Sequence, residues 1–277
     1  MALKLMYITN NPQIASIAEC CGIDRIFVDM ESLGKEERQA GLNTVKSHHT
    51  IQDIKTVREV IKSSELLVRI NPIHKKIEGY CSSEEEIEQS LEAGADILML
   101  PMIKNPKQLE QFVKFVDGRA KTMALFETAE NNENIDEFLQ VDGIDEVHIG
   151  LNDMHLAYRK KFMFELLTDG TVERLCDKFK KKGVPYGFGG IARLGYGMIP
   201  AEMVIMEHYR LGSTKAILSR SFCDAAKKTD MEELKELFQI EIHKIRHFEE
   251  LLCDCSLEEF ENNRQKVYSL VSEITKN

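Results

Sequence analysis

Residues 84–116, EEEIEQSLEAGADILMLPMIKNPKQLEQFVKFV, contain the repeating unit from which we predict the fold. A helical pattern covers Glu84 to Glu92, a short apolar run covers Asp96 to Leu100, and a second helical pattern covers Pro106 to Val116. An apolar strand between two amphipathic helices is typical of parallel α/β proteins.

The same alternation continues through almost the whole chain. Ser83 and Glu86 have the spacing of a capping box at the start of the first of these helices. Eight strand and helix pairs favour a closed (β/α)8 TIM barrel over an open sheet. The strand candidates are Leu3 to Ile8, Arg25 to Asp29, Leu66 to Ile70, Asp96 to Leu100, Met123 to Phe126, Glu146 to Ile149, Tyr186 to Gly189 and Ala216 to Leu218.

The length of 277 residues suits one barrel with a short addition. We therefore predict a barrel domain over residues 1–230 and a C-terminal helical extension over residues 231–277. The extension contains a long amphipathic helix, Met231 to Leu252, and a second helix, Leu257 to Ile274. Their surplus apolar face either caps the barrel or contacts a neighbouring subunit, and we expect a homo-oligomer.

Composition excludes several functional classes. Apolar residues make up 43% of the chain and charged residues 30%, as in globular proteins. A formal charge of −10 opposes binding to nucleic acid. The chain has no apolar run of about 18 residues and no secretory signal pattern, and its seven cysteines form no CxxC pair. We expect a cytoplasmic protein that binds neither membrane nor nucleic acid.

Charged residues lie where five of the predicted strands end. In a parallel barrel these ends share one face, so their side chains should converge around the mouth. Each charge taken alone could also be an exposed strand end, but five together favour a site. The residues are Asp29 and Glu31 after the second strand, Arg69 at the third, Glu127 at the fifth, Asp153 after the sixth and Arg220 at the eighth.

Two of these acids predict a metal site. Glu127 and Asp153 would supply oxygen ligands to a divalent ion of the Mg²⁺ or Mn²⁺ kind, with Co²⁺ as another possibility. Such an ion can bind a 2-oxo acid and stabilise the enolate that forms as a carbon–carbon bond breaks or forms. The planar guanidinium of Arg69 suits a carboxylate or the developing enolate oxygen.

These residues resemble the HpcH/HpaI aldolase and citrate lyase β-subunit family over about residues 25 to 195. The resemblance rests on an ordered set of motifs: VDMES at Val28 to Ser32, VRIN at Val68 to Asn71, AGADILMLPM at Ala93 to Met102, FET at Phe126 to Thr128, and GIDEVHIGLNDM at Gly143 to Met154.

The resemblance implies roles for individual residues. Glu127 and Asp153 match the family's metal ligands, and Arg69 matches the arginine beside the substrate oxygens. Pro101 would let backbone reach the pocket, and the turn that begins at Gly150 would offer backbone N–H groups to the substrate carboxylate. The predicted substrate-binding residues are Arg69, Pro101, Gly150, Leu151 and Asn152.

One departure from the family pattern concerns the acid and base. Aldolases of this family carry a histidine immediately after the DxE of the second strand, where this chain has Ser32. His48 or His49, in the long stretch of residues 32–50, could replace that base. Glu31 or Asp29, acting with a metal-bound water, is the alternative. We therefore predict catalytic roles for Arg69, Asp29, Glu31 and His49.

Three functions remain open from the sequence. The first is a metal-dependent aldolase that acts on pyruvate, oxaloacetate or a related 2-oxo acid, with an aldehyde as its partner. The second, suggested by Ser32, is a citrate lyase β-like enzyme that acts on an acyl-CoA thioester such as a citramalyl or malyl thioester. The third is a barrel that binds an oxo acid without catalysis.

A glycine pattern offers a competing interpretation. Gly187, Gly189 and Ala192 spell GxGxxA, and Glu207 follows at the distance that a dinucleotide site requires. No helix is predicted to open at these glycines, so they more readily allow close approach of a ligand or neighbouring backbone. Arg193 and Arg220 could bind a phosphate or carboxylate here, or pair with surface acids.

Overall fold

A computed structural model describes residues 2–34, 49–219, 222 and 230–276, and eight strands in these residues form a closed parallel barrel. Each strand pairs with the next along the chain, and the eighth pairs with the first. The predicted (β/α)8 barrel is confirmed. The strands are β1 (Lys4–Ile8), β2 (Arg25–Asp29), β3 (Glu65–Arg69), β4 (Ile97–Leu100), β5 (Lys121–Phe126), β6 (Glu146–Ile149), β7 (Tyr186–Ile191) and β8 (Lys215–Leu218).

Helices follow the strands around the outside of the barrel. The described residues contain α1 (Pro12–Cys20), α2 (Ile51–Val60), α3 (Ser83–Glu92), α4 (Pro106–Val116), α5 (Ala129–Glu133), α6 (Ile135–Phe138), α7 (Leu151–Ala157), α8 (Glu165–Thr168), α9 (Thr171–Lys182), α10 (Ala201–Leu211), α11 (Met231–Leu252) and α12 (Leu257–Lys276). The sequence pattern did not predict α5, α7 and α8, because four to seven residues are too few to show a helical period.

The capping box of α3 lies one residue earlier than predicted. Ser82 is the N-cap, and its hydroxyl accepts the backbone N–H of Glu85, whose carboxylate accepts the N–H of Ser82 at 2.8 Å. The predicted pair of Ser83 and Glu86 is wrong because both side chains are buried on the barrel side of the helix. The carboxylate of Glu86 instead accepts the side chain and backbone N–H of Asn71.

Two apolar cores hold the barrel together. Alternate strand residues such as Ile26, Val28 and Phe126 point outward and pack against the helices. The residues between them point inward and form a separate core inside the barrel: Met6, Phe27, Leu67, Ile97, Met99, Met123 and Leu125. This alternation decides which residues face the mouth, because it places Asp29 above Phe27 and Arg69 above Leu67.

The opposite end of the barrel interior is closed by a cluster of charged residues, of which Arg25, Glu146 and Lys215 are buried. Arg25 donates to both carboxylate oxygens of Glu146 at 2.6 and 2.8 Å and to Glu65 at 2.8 Å. Lys215 Nζ lies 3.0 Å from Glu146, and Lys121 binds Glu65. All five residues begin their strands. The three cations and two carboxylates partly offset one another's charge. The buried members, Arg25, Glu146 and Lys215, fill the floor, so we place the ligand site at the other end.

The C-terminal helices pack on the barrel. α11 contacts α1 and α10, and α12 contacts α8 and α10. Leu234, Phe238, Ile245 and Leu252 are buried on α11, whereas Leu251 is exposed. The chain's own helices therefore cover most of the predicted apolar face, and contact with a neighbouring subunit stays a prediction. No helix among the described residues has the length and apolarity needed to cross a membrane.

Candidate functional site

Asp29 and Arg69 form the centre of the site at the C-terminal ends of β2 and β3. The strand register places them side by side. Arg69 Nε donates to Asp29 Oδ1 and its terminal nitrogen to Oδ2, both at 2.8 Å. This two-point contact fixes the plane of the guanidinium. Arg69 is therefore held in one orientation at the mouth of the barrel.

A second acid lies against the same guanidinium. Glu31 Oε2 is 3.4 Å from an Arg69 terminal nitrogen, and the side chains of Asp29 and Glu31 are almost fully buried. Burial alone would lower the pKa of Arg69, but the negative charges of Asp29 and Glu31 outweigh it and raise that pKa well above its ordinary value. Arg69 therefore stays charged at any pH at which the protein works.

Glu127 follows β5 at the next inward position after Leu125 and is buried. Its Oε1 accepts the backbone N–H of Met102 at 3.0 Å. Burial raises the pKa of Glu127 well above its ordinary value, and the negative charges of Asp153 and Glu31 raise it further. Asp153 and Glu31 therefore both lie within electrostatic range of Glu127, with Arg69 as a partial counter-charge.

This donor set suits a hard divalent cation. Buried like charges are costly, and a cation between them removes that cost. No group of three or more His, Cys, Asp or Glu side chains is arranged to hold a metal ion in the described ranges. Two carboxylates are enough for Mg²⁺, which keeps several of its waters or takes substrate oxygens. Glu127 and Asp153 remain the predicted ligands.

His49 returns to the site from the far end of the long stretch that follows β2. Its Nδ1 accepts the backbone N–H of Asp29 at 2.9 Å. In the neutral ring the proton therefore sits on Nε2. In this arrangement Nε2 carries the hydrogen that His49 can donate in a hydrogen bond, and Nδ1 is engaged by the Asp29 N–H. His48 lies outside the described residues.

The turn after β2 is held by a buried asparagine. Asn71 Oδ1 accepts the N–H groups of Ser32 at 2.9 Å and of Leu33 at 2.8 Å, and its amide donates to Tyr80 and Glu86, each at 2.8 Å. Ser32, at the position of the family's histidine, is exposed. The network fixes the backbone that carries Glu31.

The predicted substrate-binding backbone lies at the same end of the barrel. Pro101 is buried directly after β4, and Gly150 is the N-cap of α7 with no side-chain hydrogen bond to the cap. The side chain of Leu151 is buried, whereas Asn152 is half-buried. Leu151 could therefore meet a ligand only through its backbone. The roles of these four residues stay predictions.

The glycines of β7 serve packing. A Cβ on Gly187 would lie 2.3 Å from the carbonyl oxygen of Lys215, and a Cβ on Gly189 would lie 2.7 Å from Leu151 Cδ1. Both lie within the strand, and no helix opens there, so the dinucleotide interpretation fails. Arg193 stacks over the Tyr196 ring at 4.2 Å, and Arg220 lies outside the described residues.

Three residues near the site were not predicted from the sequence. Asn71 was noticed only as part of a motif, and the Met102 amide gave no signal because a backbone contact has none. His148 lies on β6 one inward position below Gly150, and its Nε2 donates to Gly189 O at 3.2 Å. Burial, with the charge of Lys215, lowers its pKa to about 3. The sequence could have indicated His148, because it occupies an inward-facing position on a predicted strand.

Comparison with solved structures agrees with this fold. An HpcH/HpaI aldolase from Desulfitobacterium hafniense DCB-2 is 18% identical, with a TM-score of 0.59 over 79% of this chain and 86% of that one. An HpcH/HpaI aldolase/citrate lyase family protein from Burkholderia cenocepacia J2315 is 13% identical, with a TM-score of 0.61 over 84% and 95% of the two chains. RipC from Yersinia pestis is 15% identical, with a TM-score of 0.56 over 85% and 94%.

These three likenesses establish the fold alone, because their sequence identities are low. None of the proteins with curated functions is similar enough in sequence to count as a match. The sequence model of HpcH/HpaI aldolase/citrate lyase, however, matches residues 4–166, which is more than half of the chain. With its closed parallel barrel and the acids around Arg69, the chain belongs to the HpcH/HpaI aldolase/citrate lyase family.

Proposed function

We propose that this protein is a metal-dependent carbon–carbon lyase of the aldolase type. It would cleave or form the bond next to a small 2-oxo acid such as pyruvate or oxaloacetate, with an aldehyde as the second product or substrate. Membership of a family of lyases and aldolases supports the reaction class. The observation that carries the proposal is the guanidinium of Arg69, clamped by Asp29 beside the buried carboxylates of Glu31 and Glu127.

Glu127 and Asp153 would hold the divalent ion, for which Mg²⁺ is the first choice and Mn²⁺ and Co²⁺ are alternatives. Bound there, the ion supplies Lewis-acid stabilisation of negative charge on the ketone oxygen of the oxo acid. Glu127 reaches this position with its own orientation already set, since its Oε1 accepts the Met102 N–H. The second carboxylate, Asp153, enters from the first turn of α7.

Arg69 would contribute a positive charge whose position does not have to change during the reaction. Its contact with Asp29 holds the guanidinium in place, and 15% of the side chain stays exposed at the mouth. As the carbon–carbon bond breaks, its electron pair moves toward the ketone oxygen, and a fixed positive charge nearby lowers the energy of that state. Asp29 acts through Arg69 as a positioning residue.

The proton transfers need an acceptor that afterwards acts as a donor. In the cleavage direction Glu31, or a water bound beside it, would accept the hydroxyl proton of the substrate and then return a proton to the carbon that loses its bond. His49 would assist as a hydrogen-bond donor, because its Nδ1 accepts the Asp29 N–H and the ring proton therefore sits on Nε2. This assignment differs from the role of base that the sequence suggested for the histidine.

Exchange of the pyruvate methyl protons for deuterium tests the proposal without requiring the aldehyde to be known. We expect Mn²⁺- or Mg²⁺-dependent exchange, followed by ¹H NMR, that is abolished by chelator and reduced at least 100-fold in Glu127→Gln. Glu130→Gln is the matched control, because Glu130 lies three residues away and is exposed. Pyruvate binding without exchange would instead identify a barrel that binds an oxo acid without catalysis.

The second candidate is an acyl thioester lyase of the citrate lyase β type. Ser32 favours it, because the residue at the family's histidine position is small, exposed and bound to Asn71. Cleavage of malyl- and citramalyl-CoA, followed by release of the acyl-CoA product, distinguishes the two candidates. Turnover of the thioesters without turnover of free 4-hydroxy-2-oxo acids would select the second.

A further inference from the structure

Glu127 sits in a slot formed by two pieces of backbone that carry no functional side chain. The strand register pairs Phe126 with Ile149, so the next inward positions, Glu127 and Gly150, face each other at the mouth. A Cβ on Gly150 would lie 2.7 Å from Glu127 Oε2 and 2.8 Å from Glu127 Cβ. The absence of a side chain at residue 150 therefore makes room for the whole Glu127 side chain.

The glycine is required for space, since its backbone conformation is open to other residues. Gly150 has φ −83° and ψ 89°, and an L-residue adopts a negative φ without the strain of the left-handed region. Contact with a carboxylate tip alone could be relieved by a rotation. Contact with Glu127 Cβ cannot, because that atom is fixed by the backbone of β5.

The other wall of the slot is a strained turn. Met102 has φ +51°, a conformation that costs a non-glycine residue about 1–2 kcal/mol. This conformation coincides with the 3.0 Å contact from the Met102 N–H to Glu127 Oε1. The next residue is pinned as well, because the Ile103 carbonyl accepts from Thr128 at 2.9 Å and from Asn131 at 3.2 Å. The surrounding contacts thus hold the turn in a conformation that Met102 alone would avoid.

We propose that Gly150 and the backbone N–H of Met102 are positioning groups that fix the Glu127 carboxylate for metal binding. The Met102 N–H donates to Glu127 Oε1, and the lack of a side chain on Gly150 leaves room for Glu127 Oε2 on the opposite side. This inference rests on the proposed role of Glu127 as a metal ligand. Groups that orient a ligand in this way typically contribute 10–100-fold to metal affinity.

Gly150→Ala is the critical variant, and Mn²⁺ binding by electron paramagnetic resonance is the first readout. We expect Gly150→Ala to weaken Mn²⁺ binding at least tenfold. Gly118→Ala is the matched control, because a Cβ on Gly118 would meet no atom within 4 Å, and we expect its Mn²⁺ affinity to stay within about threefold of the wild type. Unchanged Mn²⁺ affinity in folded Gly150→Ala, or equal weakening in both variants, would overturn the proposal.

A second readout does not depend on metal. Selective ¹⁵N labelling of the 12 methionines reports the Met102 amide, assigned by its loss in Met102→Leu. In the metal-free wild type this amide should resonate downfield and exchange slowly, and Gly150→Ala should speed its exchange at least tenfold. An unchanged shift and exchange rate in folded Gly150→Ala would refute the slot. A wild type that binds no Mn²⁺ would refute the proposed function, and the amide would still test the slot.

Discussion

Replacing Glu127 by glutamine should stabilise the metal-free protein while removing its response to metal. Glu127 is buried, and its negative charge is repelled by Asp153 and Glu31. Glutamine keeps the shape and an oxygen for the Met102 N–H and removes one of the three like charges. Relief of such an incompletely compensated buried group is worth about 1–3 kcal/mol.

The expected change in stability is large enough to measure as a shift in melting temperature. At roughly 2–4 °C per kcal/mol for a chain of this size, the melting temperature in chelator should rise by several degrees. Saturating Mn²⁺ at about 100 times its Kd should stabilise the wild type by about 2.7 kcal/mol and Glu127→Gln by much less. Calorimetric melts of both proteins, with and without chelator, give all four values.

Glu130→Gln provides the control for a generic change of charge. Glu130 is exposed, so its substitution should change stability by no more than about 0.5 kcal/mol. Two results would refute the reasoning. One is a Glu127→Gln protein that is less stable than the wild type in chelator. The other is a variant that gains as much stability from Mn²⁺ as the wild type does.

Three further variants test the elements around the site. Asn71→Ala should lower the free energy of unfolding by about 2–4 kcal/mol in urea titrations, because it leaves several buried polar groups unpaired; a loss below 1 kcal/mol would contradict this. Arg25 and its neighbours lower the pKa of Glu146 to about 2 despite its burial. The ionised Glu146 side chain therefore stabilises the fold by about 3 kcal/mol above pH 4.5, and this contribution is lost as the pH falls toward 2. In Glu146→Gln, the free energy of unfolding should change less with pH over this range. Arg69→Lys keeps the charge but loses the two-point contact with Asp29, and we expect pyruvate proton exchange to fall at least tenfold while the protein stays folded; an unchanged rate would exclude Arg69 from the site.

The sequence was a good guide to the barrel because strand and helix periods are local. The bounds of β2, β6 and α4 agree with the prediction residue for residue, since each begins and ends at a clear change in pattern. The acids at the strand ends were also predictable, because parallel strands bring their C-terminal ends to one face. Their convergence follows from topology rather than from any local signal.

Other features depend on contacts that the sequence does not encode locally. The position of the proton on the neutral His49 ring follows from one backbone contact with Asp29, and the slot around Glu127 follows from a glycine and an amide on two different strand ends. The floor of charged residues around Arg25 is likewise built from residues far apart in the chain. Each becomes visible only when the strand register is known.

Anomalous diffraction from a crystal soaked with Mn²⁺ and pyruvate tests the proposed chemistry most directly. We expect one Mn²⁺ peak between the carboxylates of Glu127 and Asp153, with the carboxylate and ketone oxygens of pyruvate completing its coordination and Arg69 beside the ketone oxygen. A peak elsewhere on the protein, or pyruvate bound away from Arg69, would contradict it.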